Sequence, residues 1–83
     1  MSILIKSEDR LSQTVAEVLG VTPDELLEES SPDTIASWDS LGHLNLVIAL
    51  EEEFRIRLSA EDMLAMRSVR AIRQILLQSG AEI

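Results

Sequence analysis

Hydrophobic residues recur at helical spacing in the early part of the chain. Their separations of four, three and one residues place them on one face of a helix: Leu11, Val15, Val18 and Leu19. Ser7 is the predicted N-cap of this helix, with Glu8 and Asp9 in its opening turn, and Gly20 is its predicted end. The pattern therefore predicts an amphipathic helix between Ser7 and Gly20.

A long connection follows, over residues 20–38. Residues 22–25, Thr-Pro-Asp-Glu, combine a capping box with proline at the first helical position, which predicts a short turn carrying Leu26 and Leu27. The polar run at residues 30–33 ends that turn. Connections of this length are unusual in small domains, so we expect an ordered loop that packs its apolar side chains on the helices. These side chains are Val21, Leu26, Leu27, Ile35 and Trp38.

The second long helix is predicted over about residues 40–54. The expected buried stripe consists of Leu41, Leu44, Val47, Ile48 and Phe54. Three more apolar residues widen this stripe beyond that of a simple surface helix: Leu46, Ala49 and Leu50. We therefore expect this helix to be central, with more than one neighbour packed against it.

Two more helices are predicted in the last third of the chain. Residues 55–58 alternate polar and apolar side chains, but so short a run without a partner strand indicates an extended linker. Ser59 starts a short helix that carries Met63, Leu64 and Met66. Ser68 caps a final helix, closed by Gly80, with its apolar residues facing inward: Val69, Ile72, Ile75 and Leu76. The fold class is thus an all-α four-helix bundle with three longer helices, one short helix and a long ordered loop.

Length and composition limit what this chain can be. Its 83 residues suffice for a single domain, residues 1–83 with a core over about residues 7–79, which leaves little depth for an enclosed active site. It has no cysteine, hence no disulfide and no thiolate nucleophile, which fits a reducing compartment. The longest run without Asp, Glu, Lys or Arg, which ends at Leu50, is far too short to cross a bilayer, and no leader pattern is present. We expect a soluble cytoplasmic monomer without a membrane span.

Charge is distributed unevenly along the chain. The net charge is −8, and no Lys or Arg occurs between Leu11 and Phe54, a region rich in Asp and Glu. Such an anionic surface repels nucleic acid and attracts basic patches on other proteins. We therefore expect protein partners and no nucleic-acid binding.

No constellation predicts catalysis or metal binding. Asp39, Ser40 and His43 superficially resemble a catalytic triad, but neighbours on a helix point about 100° apart, so Asp39 cannot orient His43 towards Ser40. His43 is instead predicted to be a surface histidine. One histidine without cysteine forms no zinc site, residues 33–39 lack the alternating oxygen ligands of a calcium loop, and three consecutive glutamates from Glu51 onwards fan around the helix. The chain is not predicted to be an enzyme.

Ser40 has two interpretations at this stage. Capping statistics alone favour a residue that caps or begins the second long helix. A phosphate esterified to the same hydroxyl would also lie in a favourable field, because a helix N-terminus offers unpaired N–H groups and the positive end of the helix dipole.

The residues around Ser40 resemble the acyl carrier protein family. The likeness is carried by Asp39-Ser40-Leu41, Leu44, Val47, residues 49–54 and Ser68-Val69, and it extends from about residue 11 to residue 75. This resemblance implies that a phosphopantetheinyl transferase attaches 4′-phosphopantetheine from coenzyme A to Ser40. It further implies a non-catalytic carrier whose prosthetic thiol holds acyl groups as thioesters and shuttles them between enzymes of fatty-acid, polyketide or related biosynthesis.

The resemblance also implies a docking surface for acyl-transferring or condensing enzymes with basic patches. The matching positions are Asp39, Leu41, Ile48, Glu51, Glu52, Glu61 and Met66. An acidic helical adaptor, which binds a basic protein without being modified, is the alternative that would explain the same charge.

Several positions depart from the pattern of carriers in primary fatty-acid synthesis. Gly42 and Asn45 replace typical acids, Arg55 and Arg57 are basic where that branch tends to be acidic, and Leu64 replaces a frequent carboxylate. These departures favour a specialised pathway, such as polyketide, unusual lipid or aminoacyl-type assembly. For Gly42, we hypothesise that it provides clearance for the prosthetic arm or for a modifying enzyme.

Overall fold

The computed structural model describes residues 9–81. It contains four α-helices, α1 (Arg10–Leu19), α2 (Ser40–Phe54), α3 (Ala60–Ala65) and α4 (Val69–Gln78), and a 3₁₀ turn at Pro23–Glu25. The all-α prediction is confirmed, as is the extended linker between α2 and α3, since the described part of the chain contains no strand. The predicted core boundary at residue 7 lies outside the described residues.

Short polar side chains begin each α-helix. Asp39, Ser59 and Ser68 accept hydrogen bonds from the backbone N–H three residues later, at 2.8, 3.0 and 3.0 Å. The observed N-cap of α1 is Asp9, which accepts from the N–H of Leu11, whereas Ser7 lies outside the described residues. Asp9 therefore precedes α1, and the prediction that it lies in the first turn of this helix is wrong.

The ends of the first elements follow the sequence signals more closely. Gly20 adopts the left-handed conformation, with φ 73°, and ends α1 as predicted. The capping box of Thr22 and Glu25 is present, but the turn that it starts ends at Glu25. Leu26 and Leu27 thus follow the turn, and Leu27 is 64% exposed, so its predicted packing is wrong.

One apolar core joins the helices and the long loop. α1 packs against α2, and α3 against α4. The fully or nearly fully buried side chains with the largest volumes are Trp38, Leu11, Leu46, Leu50, Met66, Ile72 and Leu76. Burying an aliphatic side chain of this size contributes about 1.5–3 kcal/mol to folding, so each of these residues is a substantial contributor to stability.

The predicted buried face of α2 is wrong in part. Val47 and Phe54 are buried as expected, but Leu41, Leu44 and Ile48 are 66%, 52% and 48% exposed. Leu46 and Leu50, which were expected only to widen the stripe, are fully buried. α2 is apolar nearly all round, so both sets of residues have helical spacing and periodicity cannot choose between them.

Hydrogen bonds hold the long loop against the helices. The Ser37 hydroxyl donates to the carbonyl of Leu19 at 2.6 Å, and the N–H of Val69 donates to the carbonyl of Ser30 at 3.0 Å. Ile35 and Trp38 insert their side chains into the core. The predicted ordered loop with a packed underside is therefore present.

A cluster of three charged residues, here called the Arg73 cluster, ties α4 to the start of α1 and to the loop. The Arg73 guanidinium contacts the carboxylates of Asp9 and Glu28 at 2.9 and 3.0 Å. Burial raises the pKa of Asp9, but the hydrogen bond and charge of Arg73, with hydrogen bonds from Ser12 and the Leu11 N–H, outweigh it and hold that pKa below its ordinary value. The cluster therefore favours the ionised carboxylate in the folded protein.

Candidate functional site

Ser40 is the first residue of α2, and Asp39 is the N-cap. An Asp39 carboxylate oxygen accepts the N–H of Gly42, so the capping role falls to Asp39 and leaves the neighbouring hydroxyl unused. Ser40 is exposed, and its hydroxyl forms no hydrogen bond to any residue between 9 and 81. The nucleophilic oxygen is thus accessible at the start of a 15-residue helix.

Electrostatics at this position favour an anion on the Ser40 oxygen. The first N–H groups of a helix lack intrahelical acceptors, and the helix dipole places partial positive charge at the N-terminus. A phosphate ester on Ser40 would therefore lie where backbone charge stabilises it. The exposed, unbonded hydroxyl and this helix end together fit a covalently attached phosphate group.

Gly42 allows the loop to cross the first turn of α2 at close range. A Cβ atom at residue 42 would collide with the backbone carbonyl oxygen of Ser37 and approach the Asp39 carboxylate to 3.2 Å. The absence of a side chain at Gly42 is therefore required by contact within this chain. This contact explains Gly42 within the chain, and clearance for the prosthetic arm or a modifying enzyme stays a hypothesis.

His43 links the loop, α2 and α3. The Trp38 Nε1–H donates to His43 Nδ1 at 3.0 Å, and His43 Nε2 lies 2.8 Å from the carbonyl oxygen of Met63. Because an indole nitrogen can only donate, Nδ1 must accept and the ring proton belongs on Nε2, which donates to Met63. The prediction of a plain surface histidine is wrong, and neither ring nitrogen is available to Ser40 as a base.

The sequence contains a weak signal for this arrangement. Trp38 is the only tryptophan of the chain and is 1% exposed. A buried indole N–H nearly always has an acceptor, and His43 follows Trp38 one helical turn into α2. The sequence could thus have suggested the hydrogen bond between Trp38 and His43, whereas the contact of His43 with Met63 depends on how α3 packs.

An open groove of about 590 Å³, here called the Ser40 groove, lies beside the candidate hydroxyl. Its lining residues are Pro32, Trp38, Asp39, Ser40, His43, Met63, Leu64, Met66 and Arg67. The loop, α2 and the α3–α4 region each contribute to it. The groove joins a reactive oxygen, an apolar surface and one guanidinium, and sequence reasoning missed its arginine.

Most of the predicted docking residues are accessible around Ser40. Asp39, Leu41, Ile48, Glu52 and Glu61 are exposed. Leu41 and Ile48 lie with Leu44 on one exposed side of α2, and we call these three residues the apolar stripe. Exposed apolar side chains at helical spacing beside acidic ones are typical of a protein-binding surface.

Two predicted docking residues have other contacts. Met66 is 1% exposed, because the chain turns inward at the end of α3 and carries this side chain into the core. Glu51 accepts the backbone N–H of Leu58 at 2.9 Å and so holds the α2–α3 linker in place. The structure therefore removes Met66 from the exposed set and gives Glu51 an internal structural role.

Comparison with known proteins matches residues 9–76 to the family model described as a phosphopantetheine attachment site. The chain belongs to this family of acyl and peptidyl carrier proteins. Its domain is a site of covalent 4′-phosphopantetheine attachment, and such domains interact with phosphopantetheinyl transferases and biosynthetic enzymes. Carrier domains of this kind are generally non-catalytic. Among the helices of residues 9–81, none has the length and apolar character needed to cross a membrane.

Proposed function

We propose that Ser40 is the residue of this carrier protein that receives 4′-phosphopantetheine. The observation that carries the proposal is the exposed Ser40 hydroxyl, which has no hydrogen bond within the described chain and lies at the N-terminus of α2. The group, when attached, supplies a thiol on which acyl intermediates are held as thioesters. The cysteine-free chain has no thiol of its own.

The attachment chemistry balances around the Ser40 oxygen. Oγ forms a bond to the phosphorus of the phosphopantetheine half of coenzyme A, the P–O bond to the nucleotide half breaks, and 3′,5′-ADP leaves as the hydroxyl proton is released. Neither nitrogen of His43 is free to take that proton, since both are engaged. His43 is therefore not the base, and we expect the transferase to supply it, as for a carrier that is the substrate of the reaction.

We further propose that partners dock on the apolar stripe and the carboxylates beside it. Leu41 and Ile48 supply apolar contact, and the exposed Glu52 and Glu61 attract a basic patch. Charges at the rim of an interface mainly raise the association rate, and this effect decreases with salt. Fast, weak and salt-sensitive docking suits a carrier that visits several enzymes.

The assignment to a specialised pathway rests on exposed residues. Asn45, Arg55 and Arg57 are exposed and carry no negative charge, and Leu64 is 77% exposed. An enzyme that recognises carboxylates at those places would lose attraction here. We therefore propose a dedicated partner set, in polyketide, unusual lipid or aminoacyl-type assembly.

Intact mass after incubation with coenzyme A and a broad-specificity phosphopantetheinyl transferase tests the Ser40 assignment. The native chain and Ser79→Ala, a matched control at an exposed serine beyond α4, should gain the mass of one phosphopantetheine group. Ser40→Ala should gain none. Uptake by Ser40→Ala would assign another residue, and no uptake by the native chain would favour an unmodified acidic adaptor.

A further inference from the structure

Arg67 lies in the turn between α3 and α4 and, among residues 9–81, is the one Lys or Arg that lines the Ser40 groove. Its side chain is exposed, and within residues 9–81 its guanidinium has no hydrogen bond or ion pair. Arg10 and Arg73, in contrast, pair with Glu53 and with two carboxylates. Arg67 therefore adds an uncompensated positive charge to the wall of the groove.

The rest of the groove is largely apolar or already hydrogen-bonded. Met63 and Leu64 contribute apolar surface. Leu64 is 77% exposed and is not part of the core. Both ring nitrogens of His43 are engaged, and Asp39 accepts the Gly42 N–H. The groove thus offers a ligand apolar contact together with one free cation.

We propose that the Ser40 groove receives the acyl end of the prosthetic arm and that Arg67 pairs with a carboxylate on that acyl group. This inference rests on the proposed attachment at Ser40. The cargo class that it predicts is a short acyl chain with a second, free carboxylate. An ammonium-ended cargo would be repelled by Arg67.

The arm also brings its own anion, the phosphodiester on Ser40, but this anion explains less of the groove. It is bonded directly to Oγ at the start of α2, where backbone N–H groups stabilise it. If Arg67 served only the phosphodiester, any acyl chain could cover the apolar surface of Met63 and Leu64, and the guanidinium would not distinguish a charged cargo from an uncharged one. A carboxylate-ended acyl chain uses the apolar wall and the guanidinium at once.

Two six-carbon cargoes that differ in one charge provide the test. Coenzyme A thioesters of adipoyl and hexanoyl groups would load the full chain, and intact mass would establish loading before any other measurement. Trp38 lines the groove, and its Nε1–H donates to His43, another lining residue. The readout is the NMR resonance of this Nε1–H, compared with the same chain carrying the arm without an acyl group.

We expect the adipoyl chain to occupy the groove about two- to fivefold more than the hexanoyl chain, as an exposed ion pair allows. Its shift of the Trp38 resonance should be larger by that factor and should decrease with salt. Arg67→Gln should make the two cargoes equal, and Arg67→Lys should keep most of the difference. Arg70→Gln, an exposed arginine on α4 outside the groove, is the matched control and should keep all of it.

Equal shifts for both cargoes in the native chain would overturn the inference. A second result would also overturn it. If Arg67→Gln shifted the Trp38 resonance as much in the chain carrying the arm without an acyl group as in the adipoyl-loaded chain, Arg67 would serve the phosphodiester. Failure to load at all is a different result, because it would refute the attachment at Ser40 and not the role of Arg67.

Discussion

The Arg73 cluster and the Ser40 groove both contain charged side chains, but only those of the cluster are paired with one another. Arg73 contacts Asp9 and Glu28, and its side chain and that of Asp9 are each 29% exposed. At the groove, the Ser40 hydroxyl and the Arg67 guanidinium have no partner within residues 9–81. The comparison indicates that paired charges secure the fold and that unpaired groups remain available for ligands.

The Ser40 groove depends on a buried support, the side chain of Trp38, and its removal should have the largest effect on stability. Trp38→Ala removes a side chain that is 1% exposed and leaves a cavity under the groove, so we expect a loss of about 3–5 kcal/mol in the free energy of unfolding. Urea unfolding followed by far-UV circular dichroism measures it. Trp38→Phe is the control, with most of the ring volume retained and a smaller loss of about 1–2 kcal/mol from the His43 hydrogen bond. Equal stability of the alanine variant and the native chain would contradict the packing described.

Gly42→Ala should have the next largest effect. The added Cβ meets the carbonyl oxygen of Ser37, so the loop must shift, at a cost of about 1–3 kcal/mol that exceeds the helix propensity gained from alanine. Thermal or urea unfolding measures the change. Asn45→Ala, an exposed site in the same helix, should be neutral or slightly stabilising. A stabilised Gly42→Ala would mean that the loop does not pass so close to α2.

Arg73→Gln tests how much the Arg73 cluster contributes to stability. It removes the cation shared by two carboxylates, and because all three side chains are partly exposed we expect a loss of only about 1–2 kcal/mol at neutral pH. Urea unfolding at pH 7 measures it. Glu53→Gln, which breaks the more exposed ion pair with Arg10, is the control and should cost about 0–0.5 kcal/mol. Equal losses in the two variants would show that the Arg73 cluster is not special.

The Arg73 cluster should also make the stability of the protein depend on pH. The pKa of Asp9 is lowered from its ordinary 3.8, so its contribution is fully present above that value and is lost as the pH falls through the lower folded pKa. The hydrogen bonds that Arg73 donates to Glu28 and Asp9 raise its pKa, so Arg73 stays charged between pH 2 and pH 7 and adds no pH dependence. In Asp9→Asn, the loss of stability between pH 4 and pH 2 should be smaller than in the native chain. An unchanged slope of the unfolding free energy in that range would contradict this.

Leu44→Ala should have the smallest effect on stability. The side chain is 52% exposed, so we expect a change within about 0.5 kcal/mol, whereas Leu46→Ala in the same helix should cost about 2–5 kcal/mol. The rate of modification by a phosphopantetheinyl transferase should nevertheless fall about fivefold for Leu44→Ala, if the apolar stripe is a docking contact. An unchanged rate would restrict docking to other residues.

Local signals were sufficient for most of the secondary structure. The bounds of α2, the left-handed end of α1 at Gly20 and the serine caps of α3 and α4 all follow from residues next to the feature. The position of Ser40 at the start of α2 has the same origin. Such features depend on hydrogen bonds between residues a few positions apart, and the residue types that form these bonds can be identified in the sequence.

Long-range contacts decided the rest. Which apolar side of α2 is buried, the turn of Met66 into the core and the link from His43 to Met63 all depend on how separate elements pack. The clash that forbids a side chain at Gly42 and the presence of Arg67 in the groove have the same cause. Short-range signals fix the helices, the serine caps of α3 and α4 and the position of Ser40 at a helix start, because these features arise within one or two turns. Packing between separate elements sets which surfaces are covered and which groups share the groove, because burial is a property of neighbours that are distant along the chain.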